Sequence, residues 1–402
     1  MWIPRDLGAI LQRPSLPARV LLGPRQAGKS SLLARQLPDA SWVSLDDLST
    51  RRRAQEDPSL LLESLGLGEG RPLILDEAAH APHLFPEIKR RIDLARRRGE
   101  REPDIWITGS NRLLLDRNVR ESLAGRASYF CLHSLSVSEL GAAASMGDWF
   151  FRGGFPELYV RRELDPPRYF DDYVRTFVEK DIALSAGVQQ IEAFHRALAL
   201  LAARTGTLLN ATDIGQAAGV KGQTVSAWLD LLEQNALALR LAPYHNNLSK
   251  RVVRTPKIHF LDVGLVAHLQ GWRSLEPLLV SPQAGALFES LVLGELVRAR
   301  DHRGLSLGLY FWRSKEGEEI DFLIELHGAA GTRWLALEAK LGIQNVDPIA
   351  VPAALSRQVP SLREVWVVTP GGEETRLSST CLQLPIRALA QRLSDSALET
   401  AD

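Results

Sequence analysis

The sequence predicts a multidomain α/β chain, on three observations. Up to about residue 145, short apolar runs alternate with amphipathic segments, the pattern of strands and helices in a mostly parallel sheet. From about Asp148 the pattern turns mainly helical, and from about Gly285 a helix precedes several β-rich stretches. At 402 residues one core rarely suffices, so two to four domains are expected. The divisions implied are 1–147, 148–188, 189–255 and 256–402.

Composition narrows the class. The 48 basic and 48 acidic side chains cancel, and 45 % of residues are hydrophobic, an ordinary soluble balance. Zero net charge argues against a nucleic-acid coat protein and leaves local patches open. No apolar run approaches the roughly 20 residues that cross a bilayer. The opening Met1-Trp2-Ile3-Pro4-Arg5-Asp6 lacks the apolar stretch of a secretory signal. Cys131 and Cys381 make neither a disulfide framework nor a zinc site by themselves. A cytoplasmic protein without membrane contact is expected. Eight of the 48 basic residues are lysine, so a lysine inside a motif carries weight.

Strands are expected at Arg19–Leu22, Trp42–Leu45, Leu73–Leu75, Ile105–Thr108 and Tyr129–Leu132, with helices near Ser30–Leu37, Pro86–Arg98 and Leu113–Leu123. The first strand runs into Gly23-Pro24-Arg25-Gln26-Ala27-Gly28-Lys29-Ser30, followed by Ser31, which matches the phosphate-loop pattern G-x-x-x-x-G-K-[ST]. Glycines let main-chain N–H groups turn inward around phosphate oxygens, and the helix start adds its positive end. Lys29 is expected on the β- and γ-phosphates of ATP, and the Ser30 hydroxyl on Mg²⁺.

Leu73–Leu75 ends in Asp76-Glu77. Asp76 at the strand tip suits the Mg²⁺ shell, and Glu77 suits a general base that polarises water. The next strand ends in Thr108-Gly109-Ser110-Asn111; Ser110 or Thr108 would sense the γ-phosphate, or Ser110 and Asn111 would simply cap a helix. Arg126, just before the fifth strand, either reaches a neighbouring subunit's nucleotide or lies solvated. Gly153-Gly154-Phe155-Pro156 breaks the chain and reads as a hinge into a helical piece.

On these residues the chain resembles the AAA+ ATPases of bacteria and archaea that end in a conserved domain of unknown function. The resemblance is carried by the phosphate loop, Leu75-Asp76-Glu77, Thr108-Gly109-Ser110, Ser122-Leu123-Ala124-Gly125-Arg126 and Gly153-Gly154-Phe155-Pro156-Glu157. It continues in Pro256-Lys257-Ile258-His259-Phe260-Leu261-Asp262-Val263-Gly264-Leu265, Gly285-Ala286-Leu287-Phe288-Glu289, Trp312-Arg313, Glu319-Ile320-Asp321-Phe322 and Glu338-Ala339-Lys340. It implies ATP hydrolysis, a five-stranded core over 1–147 with a helical lid over 148–188, and assembly into a homo-oligomer. One departure is Ala78-Ala79-His80, where relatives often carry Ile-Gln.

Residues 189–255 read as a winged helix-turn-helix. A short helix opens at Leu208–Ile214, Gly219-Val220-Lys221 turns the chain, and Gln223–Glu233 makes a second helix. Val225, Trp228, Leu229 and Leu232 share its buried face, and Leu237–Leu241 supplies a wing-like strand. Only Lys221 is basic nearby, thin for phosphate contacts, so a packing or oligomerisation module is the rival reading. Lys250-Arg251-Val252-Val253-Arg254 is a better basic cluster, whereas Arg51-Arg52-Arg53 and Arg96-Arg97-Arg98 read as solvated surface.

In 256–402, strands are expected at Leu309–Trp312, Ile320–Ile324, Trp334–Leu337 and Val365–Val368, and the last dozen residues read as a frayed helix or tail. Asp321 with Glu338 and Lys340, two apart and on one face, resembles the PD-(D/E)xK nuclease core, with Glu289 on a preceding helix. Asp321, Glu338 and Glu289 would hold Mg²⁺ and Lys340 would orient water at a phosphodiester. The plain alternative is a strand-face salt bridge. The expected protein is therefore a Mg²⁺-dependent ATPase acting on DNA through a nuclease-like C-terminal domain. The alternative is a nucleotide-controlled signalling or defence switch with a protein partner.

Overall fold

A computed structural model describes residues 2–68, 70–109, 119, 121–184, 187–245, 255–328, 331–342 and 347–398. The chain divides into two compact units: Pro4–Ser134, and a second that begins at Leu135 and takes in the rest of the described chain.

In the first unit, β1 (Ala18–Leu22), β2 (Ser41–Ser44), β3 (Leu73–Asp76), β4 (Ile105–Thr108) and β5 (Ala127–Cys131) form a sheet in the order β2-β3-β4-β1-β5. All four pairings are parallel. Its central strands are apolar on both faces, as a sheet covered on both sides requires: every residue of β4 is buried, as are Leu73, Ile74 and Leu75. The Leu84–Arg98 helix buries Leu84, Phe85, Ile88, Ile92 and Ala95 and stops at Gly99, whose φ is 65°. The strands fall within two residues of those expected.

Two helices, Leu48–Glu56 and Pro58–Ser64, were not expected. Arg51-Arg52-Arg53 hid the first, which buries only Ala54. The signals were caps rather than apolar spacing: the side chains of Asp47 and Asp57 accept from Thr50 N and Leu60 N. Most of the Leu113–Leu123 expectation, and Ser110, lie outside the described residues, as does the 250–254 basic cluster.

The second unit is built on one nine-stranded sheet. Its strands are β6 (Thr207–Leu208), β7 (Ala238–Pro243), β8 (Lys257–Phe260), β9 (Ser306–Arg313), β10 (Glu319–Gly328), β11 (Gly331–Ala339), β12 (Val365–Thr369), β13 (Thr375–Ser378) and β14 (Cys381–Pro385). They lie in the order β13-β14-β12-β11-β10-β9-β7-β8-β6. Because β7 pairs antiparallel with β8 and parallel with β9, the segments read as helix-turn-helix and C-terminal domain share this sheet, and the segment read as the lid joins them in one hydrophobic core. The Gln283–Arg303 helix is buried almost all round, with Leu287, Phe288, Leu291, Leu296 and Val297 inside, and packs beside Ile386–Leu398. Of the frayed helix or tail expected at the end, the described residues form a helix, Ile386–Leu398, that buries Leu389 and Leu393.

The two Gly-containing motifs meet inside this unit. Asp262 caps the Val263–Leu269 helix by accepting from Gly264 N and Leu265 N, and its other oxygen accepts from Gly154 N at 2.9 Å. A Cβ at Gly264 would lie 2.4 Å from Gly153 N, a backbone atom that cannot swing aside. Gly264→Ala is expected to cost about 1–3 kcal/mol by forcing this junction apart, lowering the melting temperature. Gly285→Ala, on a helix where a Cβ meets nothing within 4 Å, is the control and should be neutral or stabilising.

Candidate functional sites

The first site sits at the carboxyl ends of the parallel strands, where ligands bind in open α/β sheets. Gly23 leaves β1 with φ 142°, and a Cβ there would lie 2.0 Å from the Leu132 carbonyl oxygen, so only glycine fits. Gln26 takes φ 63° and Gly28, at the N-cap of Lys29–Gln36, φ 94°; these left-handed turns bend the loop back on itself. Arg5 is buried and braces the loop, donating to Ala27 O at 2.7 Å and to His133 O at 2.6 Å. Nothing in the sequence pattern marks Arg5.

Lys29 is buried and donates to Gly23 O at 2.8 Å and Pro24 O at 3.0 Å. Burial pulls its ammonium down to about 8, against the opposing charges of Glu77, Cys131 and Asp76. The Ser30 hydroxyl lies 3.3 Å from an Asp76 oxygen. The strand order explains the third member. With β4 between β1 and β3, Thr108 at its tip donates to Asp76 Oδ1, and Glu77 N reaches Thr108 Oγ1 at 3.4 Å. Glu77 itself holds φ 54° and ψ 42°, a conformation that costs a non-glycine residue on the order of 1 kcal/mol or more. Arg126 is bidentate to Asp93 of the Leu84–Arg98 helix, at 2.6 and 3.0 Å.

The Lys29 shift has a measurable consequence. A polyanion in the loop stabilises the ammonium, so above pH 8 ligand binding must draw in a proton. Nucleotide affinity is expected to fall as pH rises through about 8, with proton uptake seen by calorimetry in buffers of different ionisation enthalpy.

The second site lies within the nine-stranded sheet. Asp321 N donates to Glu338 Oε1 at 3.3 Å, Ala339 N donates to an Asp321 oxygen at 2.9 Å, and Lys340 Nζ reaches Glu338 Oε2 at 2.7 Å. Burial raises both the Asp321 and Glu338 carboxyls, and the Asp321 charge adds to the effect on Glu338. Glu289 is raised to about 8 by burial and then by the Asp321 charge. Among the described residues, however, no three of these carboxylates bring one oxygen each within 4.8 Å of one another. Lysines hold them instead. Lys257, unforeseen as a member, donates to Glu289 Oε1 at 2.9 Å and pairs with Glu319 Oε1 at 2.5 Å. Burial would lower Lys257, but those two carboxylates keep its ammonium above the ordinary value. The scarcity of lysine was the signal that could have found it.

The helices expected as a helix-turn-helix are Ala211–Ala218 and Gly222–Gln234, crossing closely where a Cβ on Gly215 would meet Val220 O at 2.8 Å. Val225, Trp228, Leu229 and Leu232 are buried, with Trp228 edge-on to Phe194 at 5.4 Å. Arg240 on β7 is saturated by Asp230 and Glu233.

A five-stranded parallel sheet with a phosphate loop after β1 and an acidic pair after β3 defines the first unit as a P-loop ATPase domain. Residues 16–141 match the family model described as an AAA domain. Residues 144–276 and 284–389 match two domains of unknown function, DUF8612 and DUF4143. The chain is 31 % identical over 389 residues to the uncharacterized protein Rv2008c of Mycobacterium tuberculosis (strain ATCC 25618 / H37Rv), covering 95 % of this chain and 83 % of that one. It belongs to the same family as Rv2008c. An uncharacterized protein of Haemophilus influenzae (strain ATCC 51907 / DSM 11121 / KW20 / Rd) is 29 % identical over 237 residues, covering 55 % of this chain and 56 % of that one. Among solved structures, the Walker-type ATPase PABY2304 of Pyrococcus abyssi is similar at 15 % identity and TM-score 0.39, over 66 % of this chain and 94 % of that one. The Aeropyrum pernix ORC1 protein in complex with DNA is similar at 13 % identity and TM-score 0.25, over 66 % of this chain and 89 % of that one.

Proposed function

We propose that the protein hydrolyses ATP with Mg²⁺ and uses the cycle to act on DNA through its C-terminal carboxylate–lysine site. The observation that supports the second half is a buried Asp321 whose charge helps raise both Glu289 and Glu338, with Lys340 bonded to Glu338. Burial and the Asp321 charge press these carboxyls toward their protonated forms, and the neighbouring lysine ammonium groups offset that pressure. In the ATPase site the loop of Gly23, Pro24, Arg25, Gln26, Ala27, Gly28 and Ser31 would cradle the phosphates. Lys29 would leave its two carbonyl partners for the phosphate oxygens. Ser30 and Asp76 supply an oxygen pair suited to Mg²⁺, which provides charge neutralisation on the triphosphate when bound. Glu77 would accept the proton of the attacking water, Thr108 or Ser110 would sense the γ-phosphate, and Arg126, freed from Asp93, would serve a neighbouring copy. At the second site Asp321, Glu338 and Glu289 would have to draw their oxygens together to share the same ion, and Lys340 would orient water. Residues 189–255 would act as a winged helix, and 256–402 as the nuclease-like domain.

DNA action is tested by ATPase assays with single-stranded, duplex and four-way DNA. Stimulation that declines steeply with salt is the expected result, because counterion release drives phosphate binding. A turnover rate indifferent to every form of DNA overturns it. One observation favours the alternative of a nucleotide-controlled switch with a protein partner. Arg240 on the wing strand is spent on Asp230 and Glu233, which leaves Lys221 as the base beside the second helix among the described residues.

A further inference from the structure

The peptide between Ala27 and Gly28 decides what the phosphate loop presents to a ligand. A trans peptide is planar, so its carbonyl and its N–H point in opposite directions. Arg5 Nη1 donates to Ala27 O at 2.7 Å, and Nη2 of the same guanidinium donates to His133 O at 2.6 Å. Arg5 and Ala27 are buried and Gly28 is half-buried, so the carbonyl faces the interior and the Gly28 N–H faces the open side of the loop. No backbone carbonyl among the described residues accepts from that N–H. The anchor behind Arg5 is fixed. His133 follows β5, which pairs with β1 from Ala18↔Ala127 to Leu22↔Cys131, and Leu132 N continues the ladder to Leu22 O at 2.8 Å.

What the guanidinium holds is a joint that glycine leaves loose. Gly28 has φ 94°, and a half-turn of the Ala27–Gly28 peptide would carry this angle to the negative side, which glycine occupies as readily. The turned peptide would aim the Ala27 carbonyl at a phosphate oxygen in place of the Gly28 N–H. It would also strip Arg5 of one of its two carbonyl partners. We infer that Arg5 is a positioning residue for the nucleotide: it locks the Ala27–Gly28 peptide with its N–H toward the phosphates and closes off the turned, anion-repelling state. This deepens, and rests on, the reading of the loop as an ATP site. An ionised donor on the carbonyl also polarises the peptide and strengthens its N–H as a donor. The residue type fits the task, because a planar fork offers separate nitrogens to two carbonyls where a lysine has a single ammonium. Gly28 thus carries two demands. The left-handed φ at the helix N-cap favours glycine, and the freedom of glycine calls for a lock.

The test uses the full chain, with ATP and inorganic pyrophosphate as probes. Without the lock only a fraction of the loops stand ready, and apparent affinity falls by that fraction. Arg5→Ala should weaken ATP and pyrophosphate alike by about 10–100-fold, the factor that a hydrogen bond to a charged group supports. Saturating ATP brings phosphate oxygens that turn the peptide back, so the loss should appear in KM rather than in turnover. A brace that only stabilises the fold would lower the melting temperature and leave both constants unchanged. A crystal structure of nucleotide-free Arg5→Ala should show the Ala27 carbonyl turned toward the open side. Arg5→Lys, with one ammonium for two carbonyls, should lose less affinity, and it replaces Arg5→Ala in these measurements if the alanine variant does not fold. Wild-type KM in a folded Arg5→Ala, whatever its turnover, overturns the role of Arg5 and leaves the ATP site standing. Weakened affinity with the Ala27 peptide still in its present orientation overturns the lock. Wild type that takes up neither ATP nor pyrophosphate overturns the ATP-site reading, and the lock with it.

Discussion

Glu77→Gln is expected to lower ATP turnover by about 10²–10⁴-fold while nucleotide binding survives, the range a positioned general base contributes. The reasoning starts from the backbone. Glu77 occupies φ 54° at the end of β3, where a non-glycine residue is strained, and its N–H is tied to Thr108. Strain of this kind persists where the surroundings over-determine a position, and here they set one carboxylate beside Asp76 at the strand tips. The amide is isosteric, so the fold and the loop stay intact, but it cannot accept a proton from water. A second effect follows from the charge map. Glu77 is the largest influence holding the Lys29 ammonium up against burial. Its neutralisation should move the pH edge of nucleotide binding below about 8 as well as stop turnover. Single-turnover hydrolysis and fluorescent-nucleotide titration separate the two. Glu77→Gly gives an independent check: it removes the positive-φ strain, so it should stabilise the first unit by about 1 kcal/mol while abolishing turnover. Full turnover in Glu77→Gln would assign the base elsewhere.

Legibility differed between the two units for physical reasons. The parallel sheet was readable because its strands are buried on both faces and stand out as apolar runs, and because the phosphate loop pins β1. The acidic pair Asp76-Glu77 was readable as a strand end, but its contact with Thr108 needed the strand order, which no spacing encodes. Arg5 was invisible for a related reason: it acts on Ala27 O and His133 O, partners far away in sequence. In the second unit, separate apolar segments suggested separate domains. Strand β7, expected only as a wing, joins β8 on one side and β9 on the other, and that pairing makes one sheet of the whole. Asp321, Glu338 and Lys340 declared themselves by two-residue spacing and by the rarity of lysine. Lys257 and His259 belong to the same neighbourhood, yet their strand lies far from Glu289 in the chain, so only the folded sheet unites them.

Lys340→Ala is expected to abolish Mg²⁺- or Mn²⁺-dependent cleavage of labelled DNA while ATP turnover is retained, and Lys29→Ala to abolish turnover. The asymmetry rests on what each lysine touches. Lys340 bonds Glu338 at 2.7 Å, and Lys29 bonds the loop carbonyls of Gly23 and Pro24. Removing Lys340 leaves Glu338 facing the Asp321 charge in a buried place, and both pressures drive its carboxyl further up. The sign of the pH effect follows. A carboxyl raised in the folded state binds its proton more readily there than in the unfolded chain, so stability declines as pH climbs from the unfolded value toward the folded one. The variant should therefore be close to wild type at pH 4 and fall behind it toward pH 8, by about 1 kcal/mol given that the lysine is half exposed. Lys340→Arg keeps the charge and should restore the stability profile, but its planar fork cannot occupy the ammonium's place at a water, so cleavage should stay low. If wild type does not cut DNA and Lys340→Ala changes only the melting curve, the lysine is a counter-ion for Glu338 and the site is structural.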